Sequence, residues 1–406
     1  MVKGILYCGG PSVGLRDWLV AYYSGANFSS SWPQLDDRQV IGTYRGRTAV
    51  ALACRLLGIG PGHEVLVPAY NCGTELDAIL HSGAGIVGYQ VSRRCEVALE
   101  DLVVKRTRRT RAVYLIHYFG WEQPMQELRR WCDEQGLLLI EDCALALFSS
   151  GPLGGIGRTG DAAIFSLPKT LGCCYGGLLS LAKSRLVEDP VLSPAGYSAM
   201  VKELQHSGRP LVWKGLKRLG LYGSLLSVRH GIRRDRHSCG PSVAFPPMPD
   251  DYYFQPETDA DRALHHRVCT MAGTHPWQET VRHRRNNYLR LANALQGLSG
   301  VKPLYERLPD GVCPLSFPVL VSERDACVEA LQSKGIAALP WWAGFHRNGI
   351  DWSQFPDACW LKHNMVTLPV HQGVDDQHLA YVAEISAQVL KSSGARSRAS
   401  QPPVYL

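Results

Sequence analysis

The 406-residue sequence lacks several features that would place it in a common class of protein. No apolar run approaches the roughly 20 residues that a membrane-spanning helix needs. The N-terminus is apolar only briefly and does not contain the apolar core of a signal peptide. The pattern GxxxxGKS/T of a P-loop and the pattern HExxH of a zinc protease are also absent. These absences lead us to expect a cytoplasmic protein with neither type of site.

The cysteines lack the arrangement of a disulfide framework or a zinc site. There are thirteen of them, an odd number, and no two form a CxxC pair. The only adjacent cysteines are Cys173 and Cys174. Scattered cysteines of this kind are typical of reduced thiols in a cytosolic protein. We therefore predict neither disulfides nor a bound metal.

Positive charge is in excess in one stretch only. The chain has a formal net charge of +7, and residues 202–237 contain nine Lys or Arg against two acidic residues, which accounts for the whole excess. Such a local excess indicates a surface for an anionic partner and not a general nucleic-acid binder. Residues 211–236 combine apolar and basic residues, which suits an anionic-substrate site, a surface on membrane lipid, or a helix packed at a dimer interface. We favour the packed helix, because it needs no ligand.

Apolar strands alternate with helices through the first part of the chain. The pattern predicts strands at 64–68, 85–91, 113–117, 137–142, 162–166 and 178–181, and helices at 48–57, 75–81 and 125–135. Such alternation predicts an α/β domain with a mixed, mostly parallel sheet.

Four prolines between residues 241 and 249 mark a change of organisation. Beyond them the pattern predicts a smaller α+β domain, with two helices in 261–294, helices at 323–333 and 374–390, and strands at 315–321 and 337–341. We therefore divide the chain into a lead-in at 1–40, a large domain at 41–245, a small domain at 246–390 and a disordered tail at 391–406.

Lys169 is the residue that best indicates chemistry, because of the segments around it. It follows the predicted strand 162–166, whose last residue is Ser166, and a second apolar strand ends on Asp142. A buried carboxylate needs a partner, and the ring N–H of pyridoxal phosphate (PLP) is a suitable one. A partly buried loop lysine favours the neutral amine that forms a Schiff base with PLP. The two segments together predict a PLP site, with Ser166 as a donor to the phosphate or the phenolic oxygen.

Each of these features also has a simpler interpretation. A loop lysine is most often solvated, and an aspartate that ends a strand often caps a loop. The segment 46–49 opens a helix, where free N–H groups suit a phosphate, but Thr48 there is also an ordinary cap. Lys169 and Asp142 together favour the PLP site. Residues 155–160 match GxGxxG, but a strand and not a helix follows, so we reject a dinucleotide site.

The order of the motifs resembles the DegT/StrS family of PLP-dependent aminotransferases, best known for aminating keto sugars carried on nucleotides. The resemblance covers about residues 40–390 and rests on the segments 46–49, 60–70, 82–87, 116–120, 140–144, 160–166, 317–321, 335–342 and 368–371, together with Lys169. It implies the fold-type-I architecture of aspartate aminotransferase, with a large PLP-binding domain and a smaller C-terminal domain.

The resemblance also implies roles for individual residues. Lys169 would hold the cofactor and move a proton between Cα and C4′, and Asp142 would pair with the pyridine nitrogen. Two further sets are implied: Arg47, Thr48, Ala49 and Ser166 for the phosphate, and Tyr70, Asn71 or Cys72 for a contact over the ring. The family works as a homodimer whose subunits share each active site.

Several positions depart from the family pattern. The step from Ser166 to Lys169 is three residues instead of the more common five. Leu145 replaces the usual His or Gln, Tyr175 replaces an acidic residue, and Ala260 aligns near the partner-subunit asparagine, which we therefore do not assign.

We expect an aminotransferase that takes an amino group from an amino acid, with glutamate as the expected donor. The acceptor would be a keto or aldehyde group of a nucleotide sugar or a related intermediate. One alternative is another PLP reaction, such as that of a lyase, a dehydratase or a natural-product-tailoring enzyme. The other alternative is a non-catalytic member of the family.

Overall fold

The computed structural model describes most of the chain. It covers residues 11, 32, 34–185, 188, 190–195, 246–298, 301–348 and 350–399, and gives the backbone alone for 392–399. The basic stretch 202–237, most of the lead-in 1–40 and residues 400–406 lie outside the described residues. The interpretations of the basic stretch therefore stay predictions.

Nine strands lie among the described residues of the first half of the chain. They are β1 (Arg38–Thr43), β2 (Glu64–Pro68), β3 (Gly85–Tyr89), β4 (Thr110–Ile116), β5 (Leu138–Asp142), β6 (Ser150–Gly151), β7 (Gly154–Gly155), β8 (Ala162–Ser166) and β9 (Gly177–Ala182). Seven of them form one sheet in the order β1-β9-β8-β5-β4-β2-β3, and β6 and β7 form a separate hairpin. In the large sheet β9 runs antiparallel to β1 and β8, and the other neighbours are parallel. The predicted mixed, mostly parallel sheet is confirmed.

The middle strands of this sheet are buried on both faces. Every residue of β2 and β5 is buried, as are all but one of β4. Continuous apolar strands of this kind occur where helices cover both faces of a parallel sheet. The carboxyl ends of parallel strands meet at one edge, where α/β enzymes bind their ligands. Asp142 is the last residue of β5 and Ser166 the last of β8, so both lie at that edge.

Five helices accompany the strands in the part of this half that the structure describes. They are α1 (Gly46–Leu56), α2 (Thr74–His81), α3 (Leu99–Lys105), α4 (Met125–Gln135) and α5 (Leu167–Leu171). The first of them has a buried apolar face and packs against β8 and β9. This packing brings the N-terminus of α1 to the carboxyl end of β8.

The second half of the chain adds a smaller sheet and six helices among the described residues. The elements are α6 (Pro256–Asp259), α7 (His266–Gly273), α8 (Trp277–Leu295), β10 (Lys302–Pro303), β11 (Phe317–Leu320), α9 (Arg324–Ser333), β12 (Leu339–Pro340), α10 (Pro356–Asn364), β13 (Met365–Leu368) and α11 (Asp376–Ala399). The four strands are antiparallel in the order β10-β11-β13-β12. Helices α8, α9 and α11 pack with this sheet around a core of their own.

Two observations bear on the predicted division into domains. Residues just past 245 pack with the large sheet: Phe254 joins its core, and Val268 and Met271 join a cluster with Phe148. The last helix continues to Ala399, although the sequence predicts a disordered tail from residue 391. The domain boundary near 245 stays a prediction.

No helix in the described part of the chain has both the length and the apolarity to cross a bilayer.

Gly177 is where β9 meets the start of α1, and we expect any side chain there to destabilise the fold. A Cβ at this position would lie 2.6 Å from the Gly46 nitrogen and still closer to the Arg45 carbonyl, which is rigid backbone. Gly177→Ala should lower the free energy of unfolding by about 1–3 kcal/mol, as overpacking does. The measurement is urea unfolding. Gly85→Ala is the matched control, because its Cβ would meet Glu64 Cγ at an ordinary 3.6 Å; equal losses in the two variants would contradict the steric account.

Candidate active site

A cavity of about 590 Å³ opens at the carboxyl edge of the large sheet. The ends of β5 and β8, the start of α1, the start of α2 and the loop after β12 line it. Of the predicted site residues, five line the cavity: Lys169, Asp142, Ser166, Arg47 and Cys72. The other four are buried and do not line it: Thr48, Ala49, Tyr70 and Asn71.

Asp142 presents a fixed carboxylate to this cavity. Asp142 is only 8% exposed and is the last residue of an apolar strand. The hydroxyl of Tyr114 donates to Oδ2 at 2.9 Å, and the N–H of Ala144 donates to Oδ1 at 2.8 Å. Burial, followed by the neighbouring Asp142 charge, raises the pKa of Tyr114 well above its ordinary value, so this phenol stays a donor. A carboxylate has about four acceptor sites, so two remain for a ligand.

Lys169 lies in a short helix and not in the loop that the sequence predicts. Pro168 stands in the first turn of α5 and Gly172 ends it with a φ of 78°. Proline suits the first turn of a helix, and glycine suits the left-handed residue after it. The Lys169 Nζ lies 6.0 Å from the centre of the Trp342 ring. No carboxylate among the described residues forms an ion pair with it.

The N-terminus of α1 supplies a site for an anion. The first turn contains no acidic residue, and Ser166 lies beside Gly46, where a Cβ would be 3.8 Å from the serine Cβ. The N–H groups that begin a helix have no partner within it and attract anions. The buried Thr48 Oγ1 also lacks a hydrogen-bond partner among the described residues.

Two residues of the predicted phosphate segment already form hydrogen bonds within the protein. The Ala49 N–H donates to the Arg45 carbonyl at 3.1 Å, so it offers no donor to a ligand. The Arg47 guanidinium donates to the carbonyls of Asp251, Tyr252 and Tyr253 at 2.9–3.2 Å. Only the backbone of Arg47 is available to bind a phosphate.

Arg45 was not predicted as a site residue, but it lines the cavity with 43% of its side chain exposed. Its position directly before the helix could have indicated this from the sequence.

Glu75 is a second buried carboxylate in the cavity wall that the sequence analysis missed. It accepts from the Cys72 N–H at 2.8 Å and from the Thr74 hydroxyl at 3.2 Å, as an acidic residue in the first turn of α2 does. Burial, followed by the nearby Asp142 charge, raises its pKa. Among the positions that depart from the family pattern, Tyr175 lines the cavity together with its neighbour Cys174, whereas Leu145 is buried and does not.

Aromatic side chains close the side of the cavity that faces the smaller sheet. Trp341 and Trp342 follow β12 and line the cavity. Trp342 has a φ of 52°, a strained conformation for a bulky residue of the kind that collects at functional sites. Tyr70 packs between Tyr118 and Trp342 and donates to the Trp341 carbonyl at 3.2 Å. Of the three residues predicted to cover the ring, only Cys72 reaches the cavity surface.

The donor set fits PLP. The start of α1 with Ser166 and the unpaired Thr48 hydroxyl suits the phosphate, the Asp142 carboxylate suits the ring N–H, and the Lys169 amine suits the aldehyde.

One group of possible metal ligands lies nearby, with its atoms within 4.8 Å of one another: His117, Glu141 and Cys143. His117 Nε2 lies 2.9 Å from Glu141 Oε2, and the Gln123 N–H donates to His117 Nδ1 at 3.3 Å. Glu141 also accepts from the N–H groups of Gly157 and Gly160, which belong to the GxGxxG match. These bonds occupy the ligand atoms of His117 and Glu141. We interpret the group as a hydrogen-bond network that fixes the glycine loop to β5.

The profile of the DegT/DnrJ/EryC1/StrS aminotransferase family matches residues 33–206 of the chain. These residues include both Asp142 and Lys169. The resemblance stated from the motifs is confirmed over this part of the chain.

The chain is similar in sequence to two enzymes whose names state what they act on. GDP-perosamine synthase of Vibrio cholerae is 35% identical over 150 residues, which cover 36% of this chain and 41% of that protein. The dTDP-4-dehydro-2,3,6-trideoxy-D-glucose 4-aminotransferase of Saccharopolyspora spinosa is 32% identical over 196 residues, 48% of this chain and 46% of that protein. The chain therefore matches less than half the length of these relatives.

Solved structures extend the similarity of fold to nearly the whole chain. The aminotransferase TlmJ of Streptoalloteichus hindustanus superposes with a TM-score of 0.65 at 19% identity, over 96% of this chain and all (100%) of that one. 3-Amino-5-hydroxybenzoic acid synthase gives a TM-score of 0.67 at 18% identity, over 96% and 100%. At such low identity the comparison shows the fold, and it confirms the predicted α/β architecture.

Lys362 holds in place the backbone of the loop that carries the aromatic side chains of the cavity. The residue is completely buried in α10, and its amine donates to the carbonyls of Asn71, Trp342 and Gly344 at 2.8–3.1 Å. These bonds tie the loop after β12 to the end of β2. Burial lowers the pKa of Lys362 from 10.5 to about 8.

We predict that Lys362 makes the free energy of unfolding change with pH in the alkaline range. Between pH about 8 and 10.5 the unfolded chain binds more protons at this residue than the folded protein does, so the free energy of unfolding rises with pH across this window. The rise should be about 3 kcal/mol. Lys362→Met should be less stable than wild type, because three carbonyls lose a donor, and it should lack this rise.

The measurement is urea unfolding at a series of pH values, with the difference between the two proteins plotted against pH. Lys334→Met removes an exposed lysine and is the control; its profile should follow wild type. A Lys362→Met profile parallel to wild type would contradict the prediction.

Proposed function

We propose that this protein is a PLP-dependent aminotransferase. It takes an amino group from an amino acid, with L-glutamate as the expected donor, and places it on a keto or aldehyde carbon of a sugar carried on a nucleotide. The observation that carries the proposal is the single cavity that Asp142, Lys169 and the start of α1 share. The family match and the sugar substrates in the names of the relatives support the same reaction.

Asp142 would hold a proton on the ring nitrogen of the cofactor. When bound, PLP supplies an aldehyde and a ring that withdraws the electron pair left when an amino acid loses its Cα proton. Tyr114 and Ala144 hold one oxygen each and so fix the direction of the carboxylate, which would accept from the ring N–H. In a water-poor site a fixed charge acts strongly on a nearby proton.

Lys169 would be both the point of attachment and the base. No carboxylate among the described residues forms an ion pair with it. Its Nζ would hold PLP through the aldehyde and would move the Cα proton of the donor to C4′. Helix α5 places the amine near Trp342, with Nζ 6.0 Å from the ring centre.

The phosphate would lie at the start of α1. The N–H groups of Arg47 and Thr48 and the hydroxyls of Thr48 and Ser166 are the donors that remain after the contacts above. A negative group at this position also interacts favourably with the helix dipole. The unpaired Thr48 hydroxyl would then gain a partner.

We also propose a cytoplasmic homodimer with shared active sites, which the family resemblance supports. Contact with a membrane through 211–236 is not favoured, because a packed interface helix accounts for the same pattern. Another PLP reaction remains the alternative, since Leu145 places an apolar side chain where the family has His or Gln.

The function is tested by visible absorption of the purified protein with PLP, before and after addition of L-glutamate. We expect a yellow protein whose band is replaced by that of the pyridoxamine form. Lys169→Ala should lose turnover entirely, because it removes both the attachment and the base. Lys183→Ala, which removes an exposed lysine paired with Asp37, is the control and should behave as wild type.

Turnover that survives in Lys169→Ala would contradict the proposal. A colourless protein that takes up no PLP would do the same and would favour a non-catalytic protein. A band that forms but ignores glutamate and other amino acids would favour the alternative reaction.

A further inference from the structure

A second cavity, of about 440 Å³, lies on the other side of Lys169. It shares Pro168, Lys169, Leu339 and Trp341 with the first cavity and extends towards the smaller sheet. A molecule in this space can therefore reach the Lys169 amine without occupying the cofactor position.

Arg284 places a buried positive charge in the wall of the second cavity. The residue is fully buried in α8. Its guanidinium donates to the Gln372 side-chain oxygen at 2.9 Å and to the carbonyls of Pro314, Leu315 and Thr170 at 2.9–3.2 Å. All four acceptors are neutral. A guanidinium has five N–H groups, so one remains without an acceptor among the described residues.

A buried cation without an anion is costly. Burial lowers the pKa of Arg284, the direction expected when the charge is not balanced. The Thr170 carbonyl follows directly after Lys169 in the chain, so the bond to it fixes the charge beside the reactive amine. An anionic ligand in this cavity would balance the charge.

Two unpaired donors line the same cavity. Ser316 Oγ is buried and lacks a hydrogen-bond partner among the described residues, and so does the indole Nε1 of Trp341. A buried polar group left unpaired costs free energy and calls for an explanation. A ligand with several acceptor atoms would satisfy both.

Much of the remaining wall is aliphatic, with Leu315, Ile336, Ala337, Leu339 and Leu368, and Gln332, Thr367 and His371 are its other polar members. The cavity thus combines two cations, Lys169 and Arg284, and two unpaired donors with a largely apolar surface. That combination suits a carboxylate on a short aliphatic chain.

We propose that the second cavity is the subsite that binds a carboxylate of the amino-acid donor, with Arg284, Ser316 and Trp341 as the recognition groups. The inference rests on the proposed function and names where one of its two substrates binds. Arg284 contributes charge and also holds the Lys169 helix in place. Ser316 and Trp341 contribute hydrogen bonds that no other described group uses.

Binding of glutarate tests the subsite, because this dicarboxylate has no amino group and cannot react. Calorimetry on the PLP-loaded protein should show glutarate binding and no binding of the neutral glutaramide. Ser316→Ala should weaken glutarate binding at least about tenfold, the usual effect of one hydrogen bond to a charged group. Trp341→Phe keeps the aromatic wall, removes the N–H and should weaken binding to a similar extent.

Ser386→Ala is the matched control, because Ser386 is also buried with an unpaired hydroxyl but lies in α11 away from the cavity. It should leave glutarate binding unchanged. Equal affinity in wild type and both cavity variants would overturn the subsite, as would equal binding of glutaramide or no binding of glutarate to wild type.

The same titration on cofactor-free protein separates this inference from the function. A protein that takes up no PLP disproves the aminotransferase. In that case the effect of Ser316→Ala on glutarate binding still decides whether the cavity recognises a carboxylate.

Discussion

The buried carboxylate of Asp142 is the constraint on which the rest of the site depends. A negative charge at the end of an apolar strand is tolerated only when hydrogen bonds hold it, and Tyr114 and Ala144 supply them. Those two bonds fix its direction and leave acceptor sites facing the cavity. The large sheet, whose parallel strands end at one edge, places this carboxylate beside the start of α1 and beside Lys169. A cationic ring N–H would be a suitable partner for these free acceptor sites.

A few long-range bonds join the two sheets around Lys169. The Thr170 carbonyl accepts from Arg284 and from the Gln372 side chain, so the reactive helix is held by the second half of the chain. On the other wall, Lys362 ties the loop after β12 to Asn71. Both cations are buried among neutral carbonyls. The site therefore depends on positive groups that hold the backbone, while the acidic groups face the ligand.

The sequence predicted six of the seven strands and most helices of the large sheet because continuous apolar runs and strong breakers mark them; the predicted bounds of 64–68, 125–135 and 162–166 match the structure. It did not predict β1, part of which falls in the stretch 1–40 interpreted as a lead-in. It missed α3, a short helix with one buried residue, and the helical setting of Lys169. Five of the nine predicted site residues line one cavity. The Ala49 N–H is used by a helical bond to the Arg45 carbonyl. The side chains of Arg47 and Arg284 are engaged by bonds to residues far away in the chain, which spacing does not reveal.

The central claim is that Lys169 carries the cofactor, and covalent trapping tests it most directly. Sodium borohydride reduces the bond between PLP and a lysine amine, and peptide mapping by mass spectrometry then locates the label. The account predicts label on the peptide that contains Lys169 and on no other. Lys362 is the informative competitor, because it is also buried and its pKa is lowered to about 8. Label on Lys362, or an active protein without label on Lys169, would contradict the account.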